Sequence, residues 1–228
     1  MGWLGGYGHV LTQYPVLHAF GVNITLTFWS MLLAMVLGTI AAAMRISPIF
    51  SLRATSTVYV NILRDIPLTV VMVMMYLVVW VALGIQVTND VNQNLYILAI
   101  VGLGLYHSAF VAEAIRSGVN TVPIGQAEAA RAIGLSFIQS ARLVVLPQAF
   151  RGAVAPLGNT LIALIKNTTV ASAAGVATQT AGVMNDMVET NANYLFAIFL
   201  TFAVGYVIIV IPVGLAATAL SRRLAVKR

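Results

Sequence analysis

Four consecutive polar residues interrupt an apolar stretch late in the chain: Lys166, Asn167, Thr168 and Thr169. The ammonium group of Lys166 could pair with the carboxylate of a solute, and the amide and hydroxyl groups beside it could line a polar path. Two other interpretations stay open. Lys166 could form an ion pair with another helix or with a partner chain, and its neighbours could form hydrogen bonds between helices.

A second polar pair, Arg64 and Asp65, precedes an uncharged stretch at residues 66–89. Adjacent residues on a helix point about 100° apart, so these two do not form an ion pair with each other. One of them could face a solute and the other a neighbouring helix, or both could mark the cytosolic end of a helix. Glu113 and Arg116 lie three residues apart, which predicts an ion pair on one helix face.

The sequence offers no site for covalent or metal chemistry. It contains no cysteine, and no trio of histidines or carboxylates has metal-ligand spacing. Ser108 has no base near it in a recognisable motif, and His107 beside it is typical of a hydrogen-bonded residue in a helix bundle. The phosphate-binding pattern G-x-x-x-x-G-K-[ST] is absent. We therefore expect no enzymatic activity and no cofactor or metal bound by this chain.

The amino-acid composition of the chain predicts the environment in which these residues lie. Hydrophobic residues make up 60% of the 228 residues and charged residues only 8%, whereas a soluble domain has about 25% charged residues. The chain must therefore lie in a lipid bilayer. The net charge of +6 does not indicate nucleic-acid binding, because the basic residues are spread along the chain near the ends of apolar runs.

A transmembrane helix needs about 20 mostly apolar residues, and five stretches meet that need. The second could begin near residue 55 and bend after Pro67, or begin at Ile66 and leave Arg64 and Asp65 at the cytosolic edge. The fourth is short between Arg151 and Lys166, so Lys166 lies in the membrane or snorkels from it. We predict one all-α, polytopic domain over residues 1–228, with spans at residues 20–44, 55–83, 95–112, 152–174 and 194–220.

Charge predicts the orientation of these spans. The loops after the second and fourth spans hold only acidic charges, Asp90, Asp186 and Glu189. The other loops and the tail hold the basic residues, and basic loops stay in the cytoplasm. We therefore expect the N-terminus outside and the C-terminus inside. The basic residues are Arg45, Arg53, Arg116, Arg131, Arg142, Arg151, Arg222, Arg223, Lys227 and Arg228.

One long polar loop, at residues 113–151, joins the third and fourth predicted spans on the cytoplasmic side. Its pattern predicts a helix from Ile124 to Ile133 that a left-handed Gly134 ends. Ser136 and Gln139 have the spacing of a capping box that starts a second helix, which Pro147 stops. Such a loop could insert into a partner protein or rest on lipid headgroups, and physical arguments alone favour neither.

A family resemblance distinguishes these alternatives. The residues Glu128-Ala129-Ala130, Gly134, Val144 and Leu146-Pro147 resemble, at every spacing, the EAA loop of permease subunits in ATP-binding-cassette (ABC) importers. The flanks, at residues 122–126 and 146–149, resemble the polar amino-acid group of these permeases, which includes histidine, glutamine, glutamate, arginine and opine permeases. Within that group the chain most resembles actinobacterial glutamate-uptake permeases.

Two segments depart from the family pattern. Residues 58–68 resemble the family segment F-R-G-T-P-L, with Asp65 and Ile66 in place of glycine and threonine. Residues 164–172 resemble L-K-D-T-S-L-x-S, with Asn167 in place of aspartate. Because of these changes, the contacts of relatives with their solutes do not transfer directly to this chain.

The resemblance implies a type I importer in the bacterial plasma membrane. Two permease subunits, identical or related, form the pathway for a polar amino acid, with glutamate as the best guess. Separate ATPase subunits bind ATP and Mg²⁺, and an extracellular binding protein delivers the solute. Glu128, Ala129 and Ala130 would form the face inserted into the ATPase, with Gly134 at the turn and Pro147 at the exit. The alternative is a secondary transporter driven by an ion gradient, which favours internal repeats that this sequence does not show.

Overall fold

The structure, a computed structural model, describes residues 3–224, and for residues 3–5, 137 and 138 it describes the backbone only. The described chain is helical without strands, which confirms the predicted all-α class. Lys227 and Arg228, predicted for the cytoplasmic tail, lie outside the described residues. The α-helices are α1 (Trp3–Gln13), α2 (Val16–Ile46), α3 (Phe50–Asp65), α4 (Leu68–Met74), α5 (Val91–Asn120), α6 (Ile124–Ala132), α7 (Phe137–Ser140), α8 (Leu146–Asn167), α9 (Thr180–Thr190) and α10 (Leu195–Leu224).

Four shorter segments of other helical types extend α4, α8 and α10. A π-helical segment follows α4 at Met75–Ala82, and another precedes α8 at Ala141–Val145. A 3₁₀ segment follows α8 at Thr168–Ala174, and one precedes α10 at Ala192–Tyr194. The predicted span at residues 152–174 therefore consists of most of α8 and the 3₁₀ segment after it.

Three stretches of the described chain are long and apolar enough to cross a membrane: α2, α5 and Ala192–Leu224. The pair formed by Phe50–Asp65 and Leu68–Ala82 makes a fourth if it is one broken span. The prediction of a membrane protein is thereby supported. The count of five spans, the orientation and the single domain over residues 1–228 stay predictions.

A sharp bend divides the second predicted span. The two helices of the pair meet at 99°, so the chain bends at Pro67, as the alternative that begins near residue 55 predicted. The break has a local cause: a residue before proline is pushed out of the helical region, and a proline then starts the next helix well. Ile66 (φ −82°, ψ 134°) and Pro67 (φ −60°, ψ 136°) are both extended. Arg64 and Asp65 consequently lie at the end of α3.

Helix α5 lies at the centre of the bundle, between α2 and α8, and α10 packs on α8. Glycines allow the close approach of α2 and α5. A Cβ on Gly38 would lie 2.6 Å from Val111, and one on Gly104 would lie 2.7 Å from Leu33. Small residues are the usual means of close helix packing in membranes, where no hydrophobic force draws helices together.

Candidate functional site

The first half of the polar loop is α6, and a Schellman motif ends it. The Leu135 N–H donates to the Ala130 carbonyl at 3.2 Å, and the Gly134 N–H donates to the Arg131 carbonyl at 3.0 Å. Gly134 has φ +94°, which confirms the predicted left-handed glycine. A Cβ there would meet nothing within 4 Å, so the backbone conformation, rather than lack of space, favours glycine.

The second half of the loop begins with the predicted capping box. The Ser136 N–H donates to Gln139 Oε1 at 2.9 Å, and the Gln139 N–H donates to Ser136 Oγ at 3.3 Å. This pair satisfies two backbone donors that have no partner within the helix. The capping box is confirmed, and it sets the direction in which the chain leaves Gly134.

Pro147 does not stop the second helix, and that prediction is wrong. The helix passes through the π-helical segment and continues as α8, with Val145 and Leu146 both in the right-handed helical region. The Leu146 N–H donates to the carbonyl of Ala141, five residues back. Pro147 therefore lies where the wider turn passes into α8, and the helix continues through it.

The two ends of the loop are held together where α5 and α8 meet. A Cβ on Gly118 would lie 2.3 Å from the Ala149 carbonyl oxygen, and one on Gly152 would lie 2.5 Å from Thr121 Oγ1. Only glycines allow these backbones to approach so closely. The loop therefore leaves the bundle and returns to it at one narrow base.

Two glutamines join the halves of the loop. Gln148 Nε2 donates to Gln126 Oε1, and also to the Val144 carbonyl at 3.0 Å. Sequence analysis did not predict this bond. Both residues lie in the flanks that resemble polar amino-acid permeases, and that shared position was the only signal in the sequence.

The outer face of α6 is exposed. Glu128 and Ala129 are exposed, and the side chains at the two ends, Ile124 and Ile133, are 76% and 80% exposed. Ala130 differs, since it is only 5% exposed and packs inside the loop. The part of Ala130 in the inserted face stays a prediction, and in the isolated chain its side chain is buried while those of Glu128 and Ala129 are exposed.

A cluster of charges lies on α5 near the base of the loop. The predicted pair of Glu113 and Arg116 is confirmed, with Oε2 of Glu113 2.8 Å from Nη2 of Arg116. Arg45 from α2 and Arg64 from α3 contact the other carboxylate oxygen, Arg64 at 3.7 Å. Arg64 also lies over the ring of Phe110, 5.9 Å from its centroid. Sequence analysis missed the convergence of these arginines on Glu113.

The polar residues at the end of α8 separate into two sets. Lys166 is exposed and has no ion pair with any described residue. Asn167 Nδ2 lies 3.2 Å from Nε2 of His107 across a groove between α5 and α8. The groove has a volume of about 380 Å³, and the residues that line it are Tyr106, His107, Phe110, Asn159, Thr160, Ala163 and Asn167.

Thr168 belongs to the second set and does not face this groove. It is fully buried, donates to the Ile165 carbonyl at 2.7 Å and accepts from Asn23 Nδ2 at 2.8 Å. Asn23 also bonds Thr180 and Tyr206, so it links α2 with α9 and α10. Of the two interpretations of Thr168, the structure supports hydrogen bonding between helices.

Comparison with known proteins identifies the family. Residues 18–226 match the family described as the binding-protein-dependent transport system inner membrane component. The chain belongs to this family. The predicted resemblance to ABC importer permeases is confirmed, and a permease of this family is a membrane component rather than the ATPase of its system.

Relatives of this permease include amino-acid permeases from several bacteria. A glutamate transport system permease protein of Corynebacterium efficiens is 46% identical, over 93% of this chain and 95% of the relative. The protein of the same name from Corynebacterium glutamicum is 47% identical, over the same shares of both chains. A probable glutamine ABC transporter permease of Bacillus subtilis is 32% identical, over 83% of each chain.

Solved structures confirm the permease fold. A chain of a crystallised amino acid ABC transporter superposes with a TM-score of 0.79 at 23% identity, over 96% of both chains. A chain of the methionine ABC transporter in an inward-facing form superposes with a TM-score of 0.67 at 24% identity, over 95% of this chain and 97% of that one. At these identities the likeness establishes the fold alone.

Proposed function

We propose that this permease forms, with a second copy or a related chain, the pathway of an ATP-driven glutamate importer in the bacterial plasma membrane. Two glutamate permeases match almost the whole chain at 46% and 47% identity. The observation that carries the coupling part of the proposal is the closed, exposed loop around α6, which has the spacing of the EAA motif. An ATPase dimer on the cytoplasmic side and an extracellular binding protein complete the importer.

The loop has the stiffness that a coupling element needs. The Schellman motif at Gly134 and the capping box at Ser136 set the angle between its helices. The bond between Gln126 and Gln148 joins its halves, and the glycine contacts at Gly118 close its base. A loop held at so many points moves as one body when a partner pulls on it, and Glu128 and Ala129 present its free face to an ATPase cleft.

Five spans, with the N-terminus outside and the C-terminus inside, complete this proposal. The described part of the chain supports the orientation through its charges. Arg45, Arg64 and Arg116 lie near the end of the bundle that carries the loop. Asp186 and Glu189 lie on α9, whose Val183 and Met187 pack with residues in the first half of α10. Basic residues favour the cytoplasmic side, and the loop must face that side to meet an ATPase.

The groove between α5 and α8 is the proposed part of the solute path. Asn159, Thr160, Asn167 and His107 offer polar groups, and none of the described residues that line the groove is a carboxylate. Lys166 lies seven residues after Asn159, which places the two on nearly the same face of α8. A lysine near one end of a groove without acidic residues suits an anionic amino acid.

The remaining pathway candidates are Arg64, Asp65 and Thr169, which do not line this groove. Arg64, at the tip of α3, lies over the ring of Phe110, which lines the groove. Asp65 is exposed beside it, and Thr169 donates to the Lys166 carbonyl at 2.8 Å, which steadies the backbone there. We therefore keep Arg64, Asp65, Lys166, Asn167 and Thr169 as pathway candidates and omit Thr168.

The test is uptake of labelled glutamate into proteoliposomes that contain the permease, its ATPase and its binding protein. We expect uptake that requires ATP, and loss of that uptake in Glu128→Arg, because the reversed charge would face the ATPase. Glu189→Arg, on α9 away from the loop, makes the same charge change and should transport normally. Normal transport by Glu128→Arg at equal protein levels would refute the coupling role, and uptake driven by an ion gradient without ATP would favour a secondary transporter.

A further inference from the structure

One carboxylate holds arginines from three helices near the base of the loop. Arg45 and Arg64 contact Oε1 of Glu113, and Arg116 contacts Oε2 through Nε at 3.1 Å and Nη2 at 2.8 Å. Both oxygens of the Glu113 carboxylate therefore contact arginines. In this cluster, three positive charges surround one negative charge, and among the described residues the ion pairs that α2 and α3 form with α5 all involve Glu113.

The positions of these residues connect the loop to the rest of the bundle. Glu113 lies on α5, two turns before the helix ends at Asn120 and the loop begins. Arg45 is the penultimate residue of α2, and Arg64 is the penultimate residue of α3, directly before the 99° bend. A displacement of the loop reaches α5 first, at the closed base of the loop at Gly118. One to two helical turns away along α5, at Glu113, it reaches the ends of α2 and α3.

From this geometry we infer that Glu113 is a positioning residue for energy coupling: it transmits the movement of the loop to α2 and α3. The inference rests on the proposed function, since it presumes that an ATPase moves the loop. Other contacts already hold α3 in the fold. Ser56 Oγ donates to the Ala41 carbonyl at 2.6 Å, the hydroxyls of Tyr59 and Ser108 lie 2.6 Å apart, and Val60 is fully buried. The carboxylate therefore adds a further link, at the tip of α3, to contacts that already hold the helix against α2 and α5.

The first experiment compares transport with ATP hydrolysis in the complete complex. In Glu113→Gln we expect ATP hydrolysis to continue and glutamate transported per ATP to fall about tenfold, within the range of about 5- to 150-fold typical of coupling between two sites. Arg53→Gln, an exposed arginine on α3 outside the cluster, should leave this ratio unchanged. A normal ratio in Glu113→Gln would overturn the inference. If the wild-type complex shows no ATP-driven transport, the proposed function fails instead.

A double variant separates coupling from stability. Glu113→Gln leaves three arginines without their shared partner, which can lower the amount of folded protein. Removing Arg45 as well, in Glu113→Gln with Arg45→Gln, relieves that repulsion. We expect the double variant to regain the thermal stability of the wild type but not its transport per ATP. Recovery of both together would show that the cluster serves stability alone.

The absence of cysteine allows a direct measurement of movement. Spin labels at Thr55→Cys on α3 and Glu189→Cys on α9 occupy exposed positions, and dilution with unlabelled chain leaves one labelled copy in each complex. In the wild type we expect the distance between the labels to change when ATP binds. With Glu113→Gln added, we expect no change while hydrolysis continues. A change of equal size in both proteins would overturn the inference.

Discussion

Replacement of Gly134 tests whether the angle of the loop depends on one backbone conformation. Gly134 has φ +94° and Gly125, in the first turn of α6, does not have a positive φ. A Cβ at either position would meet nothing within 4 Å. The substitutions Gly134→Ala and Gly125→Ala therefore differ in backbone conformation and not in steric contact.

The expected free energies have opposite signs. The left-handed conformation costs an L-residue about 1–2 kcal/mol, so Gly134→Ala should weaken the Schellman motif by that amount. Gly125→Ala should stabilise α6 by about 0.5 kcal/mol, less than the full value of about 1 kcal/mol for a helix interior, because Gly125 lies near the start of the helix. Gly134→Asn should cost less than Gly134→Ala, since asparagine adopts the left-handed region more readily.

These differences in free energy can be measured by hydrogen exchange of the loop amides, followed by mass spectrometry in nanodiscs. The N–H groups of Gly134 and Leu135 donate to carbonyls of α6. In Gly134→Ala their protection should fall about 5- to 30-fold, because 1.4 kcal/mol corresponds to about tenfold. In Gly125→Ala it should rise about twofold. Equal protection in the two alanine variants would refute the reasoning.

Glutamate transport by the Gly134 variants should fall in the same order as the protection of their loop amides. Gly134→Val adds a β-branched side chain to the left-handed position, which is less tolerant still. We expect Gly134→Val to insert into the membrane at normal levels and to uncouple ATP hydrolysis from glutamate uptake. Normal uptake by this variant would show that the loop tolerates a different angle at Gly134.

Three further substitutions test the packing around the site, each by the thermal unfolding midpoint of the purified protein. Gly118→Ala places a methyl group 2.3 Å from a carbonyl oxygen of α8 and should cost about 1–3 kcal/mol. Gly21→Ala, which meets nothing within 4 Å, is its control and should be neutral. Asn23→Leu leaves buried partners on α9 and α10 without their bonds and should cost about 1–3 kcal/mol; an unchanged midpoint would show that this network is dispensable. Gln148→Leu removes two hydrogen bonds, each worth about 0.5–1.5 kcal/mol, and should also speed hydrogen exchange in α6; unchanged exchange would contradict the role of Gln148 in joining the loop.

The loop shows which features of a site can be predicted from sequence. The Schellman glycine at Gly134 and the capping box of Ser136 and Gln139 depend on residues within a few positions of one another. Their spacing alone therefore predicted the turn correctly. The prediction that Pro147 ends the helix was wrong because the effect of this proline depends on the turn before it. A π-helical turn there lets the helix continue through the proline.

The amino-acid sequence by itself determined that this chain is a membrane protein, that it is helical and that it carries the loop of an importer permease. These properties follow from composition, from runs of apolar residues and from local spacing, all of which are independent of distant parts of the chain. Only the tertiary structure decided the direction of α3, the burial of Ala130 and Thr168, and the meeting of Arg45 and Arg64 at Glu113. Arg45 and Glu113 are 68 residues apart, and no local pattern specifies such a pair, because packing of α2 and α3 against α5 brings them together.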